Sequence, residues 1–186
     1  LVKGLNEYLE SSVIVTGGLA GDAARFEKTL VGYNQNPTVG NIVTVGLYGD
    51  SYYIGYGSVG GWDSFGPKRL VTKSDANVLY ELDGQSALEL YKRYLGDKAK
   101  ELPGSALLFP LSIQLEESSK SLVRTILSID EDSQSMIFAG DIPEGATVRL
   151  MKANFDKLID GAFEAAESGY KVWNGTPPDL AILISC

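Results

Sequence analysis

The pattern of apolar and polar positions predicts a chain built mostly of short strands with a few helices. Leu1, Leu5 and Leu9 recur at the spacing of one helix face, which predicts a helix at the start of the sequence. Short runs of β-branched and aromatic residues then alternate with Gly, Asn, Pro and Asp, which is typical of strands and turns. The strands predicted there are Thr29–Tyr33, Ile42–Tyr48, Tyr52–Tyr56 and Leu70–Thr72.

The second half of the sequence predicts two more helices and four more strands. Ser86-Ala87-Leu88-Glu89 fits a capping box, and Gly96 is placed to end the helix that it starts. Apolar residues between Phe155 and Ala166 follow the helical period, so a further helix is predicted to pack on a sheet face. The additional strands are Ala106–Ile113, Leu122–Ile129, Met136–Phe138 and Thr147–Met151.

The links between these strands favour an α+β fold. Residues 130–135 and 140–145 are short enough for antiparallel hairpins, so the last three strands are predicted to form a meander. Strands in runs, interrupted by two to three helices, are typical of mainly antiparallel or mixed sheets with amphipathic helices packed on them. The sequence opens without methionine and stops within an apolar run at 180–184, so we expect a fragment of a longer protein.

Composition and charge exclude several classes of function. The 186 residues are 44% hydrophobic, which favours a globular core. Their formal charge of −8 disfavours nucleic acid and anionic membranes as partners. Histidine is absent, which excludes Ser-His-Asp and Cys-His catalysis and imidazole metal sites within the chain. With Cys186 as the single cysteine and no signal peptide or membrane-spanning run, we expect a cytoplasmic protein.

A glycine-rich turn, Gly17-Gly18-Leu19-Ala20-Gly21-Asp22, follows an apolar run and is a candidate ligand site. The backbone N–H groups of Gly17 and Gly18 can meet a carboxylate, because glycine lets a ligand approach the backbone closely. Asp22 or Asp141 can meet an ammonium group. The alternative at this point is a tight turn that binds nothing.

Three other patterns do not predict sites. Gly55–Gly60 matches G-x-G-x-x-G, but Gly61–Pro67 shows no helical period, so the context of a dinucleotide site is missing. Asp130–Asp132 lacks the glycine of a calcium-binding loop and is predicted to be an exposed hairpin tip. Asn174-Gly175-Thr176 fits a glycosylation sequon, which matters only in a secreted protein. No cofactor and no metal are predicted.

Four segments, in their order and spacing, resemble the FIST family of sensory domains. They are Gly17–Asp22, Gly61-Trp62, Asn77–Gly84 followed by a helix, and Phe138–Met151. The resemblance extends from the strand before Gly17 to Ser185-Cys186. Where the family pattern has Ser-His-Gly-Trp, this chain has Val59-Gly60-Gly61-Trp62, so any role of that histidine is missing.

The resemblance implies an intracellular ligand-sensing module of a signal-transduction protein, without catalysis. It implies amino acids or related metabolites as ligands and a downstream signalling domain or protein as partner. It also implies that residues 1–77 are the later part of the N-terminal FIST region and residues 78–186 the first part of the C-terminal one. Motif membership and side-chain chemistry select the ligand-binding candidates Gly17, Gly18, Asp22, Trp62, Tyr80, Asp83 and Asp141.

Two other classes of function stay open at this point. One is a hydrolase or lyase that uses two carboxylates without histidine, either alone or with a metal ion bound between Asp22 and Asp141. Asp63, Asp83 and Glu144 also lie in or beside predicted turns and belong to this alternative. The other is an interaction module that forms a homodimer through a sheet edge.

Overall fold

The computed structural model describes residues 2–10, 12–23, 25, 27–115, 121–172 and 177–184. Cys186 and the sequon at 174–176 lie outside these residues. The internal contacts divide the chain into two compact units. Unit 1 comprises Leu1–Gly21, Lys28–Ser58 and Phe163–Cys186, and unit 2 comprises Asp22–Glu27 and Val59–Ala162.

Unit 2 is built on one antiparallel sheet. Its strands are β1 Trp62–Asp75, β2 Val78–Leu82, β3 Gln85–Ser86, β4 Leu111–Gln114, β5 Leu122–Arg124, β6 Ile126–Asp130, β7 Ser135–Phe138 and β8 Thr147–Ala153. They pair in the order β5-β4-β8-β1-β2-β7-β6, with β3 on β2. β5 and β6 are the two ends of this order, and Thr125 alone separates them in the sequence. The sheet therefore curls so that one stretch of chain forms both of its ends. Together with the helices below, this sheet confirms the α+β class.

β1 is long because it pairs with two partners. Trp62–Leu70 pairs with β8, and Val71–Asp75 pairs with β2. The register with β8 shifts around Gly66, with φ 71°, and Pro67, which has no N–H group to donate. A bulge is where a sheet tolerates such residues. The strand therefore extends well before the predicted Leu70–Thr72.

The predicted hairpin between β6 and β7 is confirmed. Its turn is closed by the carboxylate of Asp130, which accepts hydrogen bonds from the N–H of Asp132 at 2.9 Å and from the hydroxyl of Ser133 at 2.7 Å. An aspartate that binds the backbone two residues on is a common turn former, so this tip is explained by local chemistry.

The rest of the predicted meander is wrong, because β1 and β2 lie between β7 and β8. The link at 139–146 runs beside the second part of β1 instead. There the N–H of Gly145 donates to the carbonyl of Val71 at 2.9 Å, and the carboxylate of Glu144 accepts a bond from the N–H of Ser74 at 3.0 Å. A short link permits a hairpin but does not require one, since the next strand can bind a different neighbour.

Two predicted strands differ from the structure in their extent. Ala106–Ile113 divides into a 3₁₀ helix at Gly104–Leu108 and the strand β4. Leu122–Ile129 divides at Thr125, because β5 pairs with β4 whereas β6 pairs with β7. Each boundary is therefore set by which neighbouring strand the backbone pairs with, and the apolar pattern alone does not determine that choice.

The predicted helix after Ser86 is confirmed as α2, Ala87–Leu95. The N–H of Glu89 donates to the hydroxyl of Ser86 at 3.2 Å, and Gly96 follows the last turn. The buried hydroxyl of Tyr91 donates to the carbonyl of Phe109 at 2.8 Å. The helix covers a core that includes Val71, Leu79, Leu88, Leu111, Ile126, Met136, Phe138 and Val148.

The other two helices are α1, Val2–Tyr8, and α3, Phe155–Lys171, and both confirm predictions. The expected burial of the apolar face of α3 is not observed, since Phe155 is 79% and Ile159 72% exposed. Helical periodicity determines which residues share a face, but it does not determine what covers that face.

The early predicted strands do not form in unit 1. In 29–33, 42–48 and 52–56, all of which the structure describes, the one strand-like contact is an isolated bridge between Val31 and Thr38. Val45 and Tyr48 are 83% and 88% exposed. A strand needs a neighbour for its backbone groups and a buried face for its side chains, and an isolated hairpin is only marginally stable.

We predict that Ser86→Ala lowers the free energy of unfolding by about 1 kcal/mol, because the N–H of Glu89 loses its acceptor. Ser86→Asp keeps an acceptor and serves as the matched control. Chemical denaturation of both variants measures the effect. Equal destabilisation by alanine and aspartate would show that the cap contributes nothing.

Candidate functional site

The predicted site residues of unit 2 lie on different parts of the sheet. Trp62 begins β1, Tyr80 lies in β2, and Asp83 follows β2. Asp141 is exposed in the link between β7 and β8. The N–H of Asp83 donates to the carbonyl of Leu70, so Asp83 lies beside Leu70. Leu70 is eight residues of β1, roughly 20 to 25 Å, away from Trp62. Asp83 and Trp62 therefore do not share one cleft.

The remaining predicted residues lie elsewhere. Gly17 and Gly18 belong to unit 1 and are exposed, whereas Asp22 belongs to unit 2. The carboxylate of Asp22 accepts a hydrogen bond from the N–H of Glu27 at 2.9 Å. The ring of Tyr80 lies 5.6 Å from the ammonium group of Lys73, a cation–π distance. The ligand-binding roles of these residues stay predictions.

Asp83 belongs to an arginine cluster, which we define as Arg69, Asp83, Tyr94 and Arg149. Asp83 accepts hydrogen bonds from the N–H of Leu70 at 2.8 Å and from Nη1 of Arg69 at 3.0 Å. Nη2 of Arg69 donates to the hydroxyl of Tyr94 at 2.9 Å. The cluster therefore ties β1 to the turn after β2 and to α2.

The hydrogen bonds of the cluster favour its charged forms. The N–H of Leu70 and the guanidinium of Arg69 hold the pKa of Asp83 below its usual range. Tyr94 and Asp83 raise the pKa of Arg69. Both groups are therefore ionised at neutral pH.

A small cavity adjoins the arginine cluster, between the bulge of β1, strand β8 and helix α2. Its volume is about 10 Å³, which is room for one water molecule. Arg69 and Arg149 provide its charged lining, and the other walls include Phe65, Tyr91 and Tyr94. Nε of Arg69 is the one buried side-chain nitrogen or oxygen among the described residues that has no hydrogen-bond partner.

A second and larger concavity, the Asp63 groove, lies where β1 starts, β8 ends and α3 starts. It is an open groove of about 430 Å³. Asp63 forms an ion pair with Nζ of Lys157 at 2.6 Å and accepts a hydrogen bond from the amide of Asn154 at 2.7 Å. These two bonds hold the pKa of Asp63 below its usual range. The groove is lined by Asp63, Lys152, Ala153, Asn154, Phe155 and Asp156.

Local sequence explains the position of the groove. The amide oxygen of Asn154 accepts a bond from the N–H of Asp156 at 3.0 Å and so caps the start of α3. The N–H of Asn154 donates to the carbonyl of Gly61 at 3.0 Å. A side chain at Gly61 would overlap the backbone of Leu158, so only glycine allows this approach. Gly61 of the Gly61-Trp62 motif is thus required for packing β1 on α3.

The described residues contain no group of three or more His, Cys, Asp or Glu side chains placed to hold a metal ion. Within the same residues, no helix is long and apolar enough to cross a membrane. Two carboxylates of the enzyme alternative have structural partners, since Asp83 binds Arg69 and Glu144 binds the backbone of β1.

The sequence reasoning did not select Arg69, Arg149 or Asn154. The signal for Arg69 was available, because Lys68-Arg69 is a basic pair beside a Gly-Pro break in an acidic chain. The signal for Asn154 was its place immediately before a predicted helix, where asparagine is a preferred cap. Arg149 carried no local signal, since its relation to the cavity depends on the pairing of β8 with β1.

The fold is an α+β domain with two concavities, the cavity beside the arginine cluster and the Asp63 groove. The FIST N domain profile matches residues 1–85, and the FIST C domain profile matches residues 87–186. The chain therefore belongs to the FIST family and is a sensory domain. No curated protein and no solved structure shows significant similarity to it.

We predict that Asp83→Asn flattens the loss of stability in acid. Because the folded pKa of Asp83 lies below its unfolded value of about 3.9, its contribution is present above that pH and is lost as the pH falls through the folded value. Thermal unfolding between pH 6 and pH 2.5 measures the effect.

Asp141→Asn is the control for the change in total charge in this experiment, since Asp141 is an exposed carboxylate outside the arginine cluster. A constant difference between wild type and Asp83→Asn at every pH would contradict the prediction.

Proposed function

We propose that this FIST domain senses a small zwitterion, an amino acid or a related metabolite, which binds in the Asp63 groove without being chemically converted. The observation that carries the proposal is the bond between Asp63 and Lys157. Asp63 already holds one primary ammonium group at 2.6 Å, and the α-ammonium group of an amino acid offers the same donor.

The accessibility of the groove supports a small ligand. The groove is open to solvent, so a ligand can reach Asp63 without displacing the core, whereas the cavity at the arginine cluster has room for one water molecule.

The charges around the groove suit a zwitterion. When a ligand ammonium replaces Lys157 at Asp63, the ammonium group of Lys157 is released, and exposed Lys152 lines the same groove. Both cations are then available to the ligand carboxylate, and charge-assisted bonds of this kind are stronger than neutral ones.

The exchange also offers a signal. The Asp63–Lys157 and Asp63–Asn154 bonds tie β1 to the start of α3, and a ligand that replaces one of them changes that tie. A sensor requires different ligand affinities in its two states, and breaking this tie provides such a difference. The proposal includes a cytoplasmic setting and a downstream signalling domain or protein as the receiver, with a homodimer as a further assembly to be tested.

We predict that at least one free amino acid stabilises the protein in a thermal-shift screen. At 100 times its dissociation constant, a ligand stabilises by about 2.7 kcal/mol, which raises the unfolding temperature by roughly 5 to 10 °C. Asp63→Asn removes the ammonium acceptor and is expected to abolish the shift. Asp97→Asn, an exposed carboxylate outside the groove, is the matched control and is expected to retain it.

Trp62 gives a second, local measurement because it adjoins Asp63 on β1. The sequence holds two tryptophans, so Trp173→Phe leaves Trp62 as the one fluorophore of its kind. Ligand titration is then expected to change its emission with the affinity seen in the thermal shift. No stabilisation by any amino acid, or equal stabilisation of wild type and Asp63→Asn, would rule out the Asp63 groove.

A further inference from the structure

We propose that the arginine cluster is a second ligand site, which binds the carboxylate of a small organic acid between Arg69 and Arg149. It shares no residue with the Asp63 groove, so it does not depend on the function proposed above. The cavity beside the cluster marks the place where one carboxylate oxygen would lie.

The first argument is the unmet donor of Arg69. Two nitrogens of its guanidinium are bound, Nη1 to Asp83 at 3.0 Å and Nη2 to Tyr94 at 2.9 Å. Nε is buried and has no acceptor among the described residues, and Arg69 is one of the residues that line the cavity. A buried donor without an acceptor is costly, and costlier on a charged group, so the site gains from a ligand that supplies an oxygen there.

The second argument is the charge around the cavity. Arg149 lies on β8 opposite the bulge, and its Nε donates to the carbonyl of Gly66 at 2.9 Å. Its two terminal nitrogens make no hydrogen bond or ion pair with the described residues. Arg69 and Arg149 both line the cavity, and the one carboxylate of the cluster, Asp83, is paired with Arg69. One positive charge is therefore left without a partner in a chain whose formal charge is −8.

The third argument is size and shape. A cavity of about 10 Å³ accepts one oxygen atom but not a whole ligand. A carboxylate can place one oxygen at Nε of Arg69 and direct the other to the terminal nitrogens of Arg149, because guanidinium groups bind carboxylates through paired N–H donors. The organic part of the acid then stays outside, near the partly exposed Tyr94.

The backbone of the bulge supports this arrangement. Gly66 has a φ of 71°, a left-handed conformation that directs its carbonyl to Arg149, and Pro67 interrupts the pairing with β8. If Gly66 and Pro67 paired regularly with β8, the hydrogen-bonded ladder between the strands of Arg69 and Arg149 would be unbroken. The bulge instead leaves the small cavity between them.

The test uses the arginine Nε–H resonances of the whole chain, which contains five arginines, so each signal can be assigned with one Arg→Lys variant. Sodium acetate is titrated against sodium chloride at equal ionic strength. The Nε–H resonances of Arg69 and Arg149 are expected to shift saturably with acetate and not with chloride.

Arg149→Gln leaves every bond of Arg69 in place and is expected to weaken acetate binding about tenfold or more, since a charged donor is removed. Arg93→Gln, an exposed arginine of α2 that does not line the cavity, is the matched control and is expected to bind as wild type does. Circular dichroism confirms that each variant is folded.

Two results would overturn the proposal. If acetate shifts no Nε–H resonance more than chloride does, the cavity holds water and the site is not a carboxylate site. If Arg149→Gln and Arg93→Gln bind acetate as wild type does, the acid binds elsewhere. Neither result bears on the amino-acid proposal, because that proposal is tested by the thermal shift of Asp63→Asn and by the emission of Trp62.

Discussion

The double pairing of β1 is the constraint on which the rest of unit 2 depends. One strand supplies the backbone groups for β8 in its first part and for β2 in its second part. Its register with β8 shifts around Gly66 and Pro67. Because β1 pairs with both β8 and β2, it joins the β4–β8 pair and the β1–β2 hairpin in one curled sheet. Buried residues of this sheet and of α2 form the core.

Both candidate sites follow from this strand. Asp63 lies before the bulge, where β1 meets the start of α3, and Arg69 lies after it, where β1 meets α2. The two sites differ in charge because Asp63 and Arg69 have different partners. Asp63 has an ammonium and an amide for partners, whereas Arg69 has a carboxylate, a phenol and one donor left without an acceptor.

Elements whose stabilising contacts are local could be predicted from the sequence. The α2 helix has its cap at Ser86 and its end at Gly96, and the β6–β7 turn has its own aspartate. Elements that depend on distant partners could not. The path of the link at 139–146 is decided by β1, which lies far away in the sequence, and no local pattern encodes it. The break at Thr125 depends on β5 and β6 pairing with different strands, which the continuous apolar run does not show. For the same reason the apolar runs of unit 1 satisfy the strand pattern without forming a ladder.

The same distinction applies to the sites. Residue type and turn position selected Asp83 as a ligand-binding candidate, but the contacts that the structure gives it hold the fold together through Leu70 and Arg69. A carboxylate with two strong donors is a poor general base, since those bonds stabilise its ionised form. What distinguishes a binding group from a structural one is an exchangeable or missing partner. Lys157, partly exposed and on a flexible stem, is exchangeable at Asp63, and the partner of Nε at Arg69 is missing. The two sites are therefore defined by their partners more than by the residues that the motifs single out.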